Sequence, residues 1–231
     1  MLNTTLRKTA LTTAGLALTA GAIAGPLTTL TTPAHAAPTT TITTDRDNHD
    51  RDRGDHRNRG DRGGGKELRV NYAPQPNFYY CGPAAARHAL TAGGHDIPID
   101  ELATQMGTTE AGTNSAEDIT KALNKATNTD KYRTTELSNP HITDEQITTL
   151  KHDLTTTIDD NRALVANVVG TATDTNGTPH TYEGGHYITV HAYTDNGDTV
   201  KIADSANPNT ASYWITTTDL AHWMATRGYT H

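Results

Sequence analysis

Cysteine is almost missing from this chain: 231 residues contain one, at position 81, alongside one Phe and two Trp. A single thiol cannot form an internal disulfide, so no disulfide framework holds the protein together. Long apolar runs are missing as well. Residues 11–23 form the most apolar stretch, but it is short and interrupted by Thr and Gly, which argues against stable membrane insertion. Nor is there an excess of positive charge. From Lys66 onward 11 basic residues face 20 acidic ones, a net charge of −9. That is the wrong sign for gripping a phosphate backbone, and it excludes nucleic acid as a partner.

What is present starts with an address. Arg7 and Lys8 make a positive n-region, 11–23 an apolar core, and Ala34-His35-Ala36 an A-x-A cleavage site, so residues 1–36 read as a signal peptide and the protein as secreted and extracellular. Between positions 45 and 62 six Asp alternate with six Arg, with almost nothing apolar between them. Such a segment cannot offset its ordering entropy, so 37–66 read as a disordered Thr-rich and Asp/Arg linker ending in the glycine hinge 63–65. His49 and His56 belong to this solvated spacer rather than to a metal site.

The remainder, 67–231, has the length of one domain. Its first half patterns as helices over 83–92 and 98–107, then after capping boxes at Ser115/Asp118 and Thr143/Gln146, the last with Ile147, Leu150, Leu154 and Ile158 on one face. Its second half patterns as strands: 163–169, apolar on both faces, then 186–194, 199–204 and 212–216, before a terminal helix over 219–226. Shorter strands are expected at 67–72 and 132–137, and the polar stretch 171–183, with Asn176-Gly177 and Pro179, reads as a loop. This predicts an α+β domain, helical first and an antiparallel sheet after.

The turn at 195–197 sets the strand register. A three-residue loop with Gly197 left-handed pairs Ala192 with Val200, Val190 with Ile202 and Ile188 with Asp204, all on one face with His186. A two-residue turn would instead set Val200 and Ile202 beside His191 and Tyr193 and lose that apolar face. The odd loop also puts Asp204 diagonally across from His186, within reach of a carboxylate–imidazole bond. His191, five residues on, points the other way and reads as structural, not as half of a two-His metal site.

Gly82-Pro83 marks a helix start, with Pro83 at the first helical position, and places Cys81 at its mouth, where unpaired amides favour a negative charge. Alone, such a cysteine is a small buried hydrophobe. With a base and a group to orient that base, it completes the recurring parts of covalent acyl transfer.

Four features taken together resemble the papain-like cysteine peptidases: Gln75 six residues before Cys81, the run Cys81-Gly82-Pro83-Ala84 opening a helix, Gly185-His186-Tyr187 opening a strand, and Asp204 after Val200-Lys201-Ile202-Ala203. More narrowly they resemble the bacterial branch related to the double-glycine leader peptidases of bacteriocin export, in its stand-alone secreted form. The resemblance implies a papain-like fold, with Cys81 as nucleophile, His186 as general base and acid, Asp204 orienting the imidazole, and Gln75 as oxyanion donor beside the Cys81 N–H. It implies a peptide or protein substrate, and neither cofactor nor metal. No exporter accompanies the match, so leader processing is not carried over. Two other readings share these residues: transfer of the acyl group to an amine, as in transglutaminases, and a non-catalytic module that binds a protein or cell-wall partner.

Overall fold

The computed structural model describes residues 64–231; the expected signal peptide and most of the expected linker, with His49 and His56, lie outside them. Among the described residues five helices and seven strands make an α+β domain. Its elements are β1 (Lys66–Glu67), α1 (Cys81–Ala92), α2 (Ile99–Gln105), α3 (Ala116–Thr127), β2 (Thr134–Glu136), α4 (Asp144–Asp159), β3 (Leu164–Thr173), β4 (Pro179–Thr194), β5 (Thr199–Ala203), β6 (Ser212–Thr216), α5 (Thr217–Trp223) and β7 (Gly228–Thr230).

All strands pair antiparallel, in the order β2-β7-β3-β4-β5-β6. β1 lies along the far end of β4, where Lys66 pairs with Tyr193, so the sheet takes in a residue expected in the linker.

The sheet is covered on both faces, and β3 shows why. Leu164, Ala166 and Val168 point into one core with Leu150, Leu154 and Ile158 of α4 and Leu220 and Trp223 of α5. Ala163 and Val165 point into the other, with Ala85, Ala86, Ala89 and Leu90 of α1 and Ile119 and Leu123 of α3. A strand buried on both sides has no polar alternation to show, hence its apolar run, interrupted only by Asn167. The alanines of α1 let that helix approach the sheet closely, and Thr189 Oγ1 of β4 donates to Ala85 O at 2.8 Å to tie the two together.

The helix starts are built as the sequence suggests. Thr143 and Gln146 form a reciprocal capping box on α4, and Ser115 Oγ accepts from Asp118 N at the start of α3. α1 differs in one respect: it begins at Cys81, so Pro83 occupies its third position instead of its first. Pro is tolerated there because a first-turn amide has no partner within the helix.

Four corrections concern the strands. Residues 171–183 are not a loop, because β3 and β4 extend as a two-stranded ribbon from Gly170↔Tyr182 to Thr173↔Pro179. Their Thr-rich composition hides strand alternation, and the only turn is the short one capped by Asp174, whose Oδ1 accepts from Asn176 N and Thr178 N at 2.8 and 2.9 Å. Of the expected strand 67–72 only Glu67 lies in β1, and β7 had no expectation at all. Finally, the β4–β5 turn pairs Thr194 with Thr199, a four-residue connection with positive φ at Asp195, Asn196 and Gly197. A bulge between Val190 and Ala192 then absorbs one residue, so Val190 faces Ile202 as expected. Two register differences cancel before the strands reach Asp204.

Candidate active site

Cys81 is the first residue of α1, its sulfur held at a helix mouth that no side chain caps. The unpaired amides of that first turn act as partial positive charges. Gly82 has to be glycine here, because a Cβ would come within 2.9 Å of Thr113 Cβ. Burial pushes the Cys81 thiol up, but a hydrogen bond and the charge of His186, together with the backbone N–H groups of Tyr187 and Gly82, bring it below its ordinary value.

His186 opens the inner part of β4. Just before it the pairing with β3 slips, three residues of β4 (183–185) spanning one of β3, and Gly185 takes a φ of +89°. The bulge turns the strand so that the imidazole meets the sulfur on one side and Asp204 on the other. Its Nε2 lies 2.8 Å from Asp204 Oδ1, which leaves Nδ1 for Cys81. Burial favours the neutral ring, yet the bond to Asp204 and the pairing with Cys81 outweigh it and push His186 up to about 9. The two shifts are opposite in sign and mutually supporting. Each group in its ionised form favours the ionised form of the other.

Asp204 follows the last residue of β5 and is 1% exposed. Oδ1 accepts from His186 and from Ala206 N at 3.0 Å; Oδ2 accepts from Tyr182 Oη at 2.8 Å and Tyr213 Oη at 2.9 Å. Burial raises this carboxyl, and the bonds from His186, Ala206 and Tyr182 override that and hold it below its usual range. An anion so buried persists because all its acceptor positions are used. Tyr182 also packs against the His186 ring, tilted by 31° at 4.0 Å between centroids. Tyr182 and Tyr213 escape a reading of the sequence alone, the first because it sits in a segment that reads as a loop.

Gln75 is fastened next door to Asp204. Its N–H donates to Ser205 O at 3.0 Å, Ser205 Oγ donates to its Oε1 at 2.9 Å, and its Nε2 donates to Asn77 O at 2.8 Å. One amide hydrogen is therefore committed and a second is left. Among the described residues no hydrogen bond joins Gln75 to Cys81 or His186. His191 lies apart, buried, with Nδ1 2.9 Å from Leu68 O, and burial lowers its basicity. It is the extra residue of the β4 bulge, bracing the segment after β1. No group of three or more metal-ligating side chains occurs among the described residues.

A family model described as Peptidase_C39 like family matches residues 67–231. No curated protein matches the chain. Among solved structures, the peptidase domain of Streptococcus ComA, a bifunctional ABC transporter of a quorum-sensing pathway, is 18% identical, with 71% of this chain and 95% of that one covered at a TM-score of 0.46. A protein from Bacillus anthracis described as a C39-like peptidase is 11% identical, covering 71% and 96%, at 0.49. A double-glycine-motif protease of an AMS/PCAT transporter, solved with its leader peptide, is 13% identical, covering 71% and 91%, at 0.43.

Proposed function

The chain belongs to the Peptidase C39-like family, and from that premise we propose that it is a cysteine peptidase or amidase acting through Cys81, His186 and Asp204. The observation that carries this reading is the 2.8 Å bond from Asp204 to a His186 ring that in turn lowers the pKa of a sulfur at a helix start. The Cys81 thiolate attacks the carbonyl carbon of a peptide-type bond, and a C–S bond forms. His186 gives its proton to the departing amine, leaving an acyl-enzyme. Water then attacks the thioester while His186 takes the water proton, and the acid and the thiolate are released.

Asp204 keeps Nε2 occupied, so that Nδ1 is the nitrogen that serves the sulfur and the leaving group. Cys81 N–H and the second Nε2 hydrogen of Gln75 are assigned to the developing oxyanion. Loss of one such donor costs about 3 kcal/mol of barrier. The sequence features of residues 1–36 support action after export, on peptides or proteins outside the cell.

Incubation with a peptide library, read by mass spectrometry for new termini, tests the reading. The native protein should create them, and Cys81→Ala and His186→Ala should not while keeping the native circular dichroism spectrum. Added amines incorporated into the products would reassign the second step to acyl transfer. A folded native protein that cuts nothing would leave only a binding module.

A further inference from the structure

Among the described residues, five side chains keep a buried polar atom with no hydrogen-bond partner, and two of them, Tyr187 Oη and Arg227 Nε, belong to walls of the cleft that holds Cys81. Leaving such an atom unpaired costs about 1–3 kcal/mol, more for a charged group, and a site that tolerates two side by side has a use for them. Both are donors. Tyr187 keeps its proton because burial raises its pKa, and a guanidinium has nothing but N–H to offer.

The cleft is a cavity of about 220 Å³. Arg227 is the one cationic residue on its walls, the others including Cys81, Thr113, Asn114 and Asn167. Arg227 makes no ion pair within 4 Å among the described residues. Asp118 and Glu136 are the carboxylates whose charge reaches Tyr187 from outside, and neither is paired with Arg227. The guanidinium is not remote from the chemistry. Its Nη2 lies 3.6 Å from the point a Gly185 Cβ would occupy, directly before His186, and Asn167 Oδ1 lies 3.7 Å from the same point. Gly185, at φ +89°, leaves the space through which that group faces the cleft.

We propose that this cleft is a carboxylate-binding subsite, in which Arg227 and the Tyr187 hydroxyl hold a carboxylate of the substrate close to the bond that Cys81 attacks. The carboxylate belongs to an acidic side chain or to a free C-terminus; both offer the two oxygens a guanidinium fork matches. The subsite rests on the reading of Cys81 as the nucleophile, and it adds the substrate class that reading lacks.

Protection of Cys81 from iodoacetamide tests it without requiring turnover. One peptide set, acetylated and amidated at its ends, carries Asp or Glu against Asn or Gln; a second, neutral set carries a free C-terminal carboxylate against an amide. In the native protein the carboxylate member of at least one set should protect at roughly tenfold lower concentration than its amide counterpart, as expected of a charge-assisted pair. The set that does so identifies the source. Arg227→Gln should erase the difference, Arg227→Lys should keep part of it, and Tyr187→Phe should reduce it. Equal protection by carboxylate and amide in the native protein, or a preference that survives Arg227→Gln, would overturn the proposal. A carboxylate preference in a protein that cuts no peptide would instead sink the hydrolase reading and leave the subsite standing.

Discussion

Strand β4 carries two buried His–Asp pairs six residues apart, and only one of them faces a sulfur. His186 meets Asp204 at 2.8 Å; His180 meets Asp174 at 3.2 Å. Both imidazoles lie on the same side of the strand, and both pack on tyrosines, His180 stacked on Tyr213 at 3.7 Å and His186 tilted against Tyr182 at 4.0 Å. What differs is the other side of each ring. Asp174 spends Oδ1 closing the turn before β4, and its imidazole props Tyr213, whose hydroxyl reaches Asp204. Asp204 closes no hairpin turn and is pinned on all sides, and its imidazole is the one whose charge acts on Cys81. A histidine–carboxylate pair is thus a common structural device, and chemistry begins where its second nitrogen finds a nucleophile.

That contrast can be broken by substitution, most sharply at the sulfur and the base. Cys81→Ala or His186→Ala should lower peptide hydrolysis by about 10⁴-fold or more, whereas His180→Ala should keep it within a few-fold, as measured by kcat/KM on one cleaved peptide. Next in size is Asp204→Asn, which leaves the shape but removes the charge and should cost about 10²–10⁴-fold. Asp174→Ala should instead cost about 1–2 kcal/mol of stability in urea denaturation through its lost turn bonds, with little change in rate. Equal effects of these two on rate would erase the distinction between the pairs.

Acidity separates them further. Hydrolysis should rise on the acid side as Cys81 ionises below the ordinary thiol range, and fall near pH 9 as the His186 imidazolium loses its proton. His186 has its folded pKa raised, so its contribution to stability is complete below its unfolded value of about 6.5 and is lost as pH rises through about 9. Cys81, its pKa lowered, gains stability over the same window, so in the native protein it should offset part of the fall in urea midpoint, and the fall should be plainer in Cys81→Ala, which lacks that gain. The smallest effects belong to the tyrosines: Tyr182→Phe and Tyr213→Phe each remove one bond to Asp204 and should lower kcat about tenfold, the scale of a hydrogen bond to a charged group.

How legible this was in the sequence differs from element to element. The helices over 144–159 and 116–127 could be read from their caps, because Thr143 and Ser115 act on amides three residues away and need nothing distant. The two-faced strand over 164–173 showed itself as an apolar run only as far as Val169. Its outer half is mostly polar, since the ribbon it forms with 179–185 keeps only one face, with Ala172 and Tyr182, against a core, and its threonines resemble a loop. The relation of His186 to Asp204 was accessible because both lie near one turn, even though that turn holds four residues instead of three. Tyr213, Arg227 and Tyr187 were not accessible. Their parts depend on strands and a cleft wall far along the chain, and no local pattern records which polar atom is left without a partner.

The central claim is that His186, held by Asp204, keeps the Cys81 sulfur ionised, and thiolate absorbance in the far ultraviolet reads this directly when native protein and Cys81→Ala are titrated with pH and subtracted. The difference signal should already be present at neutral pH, with a midpoint well below the roughly 8.5 of a free thiol. In His186→Ala, where burial of Cys81 is no longer opposed by the imidazole, the midpoint should move upward past that value. A signal that appears only in the ordinary thiol range, and at the same pH with or without His186, would contradict it.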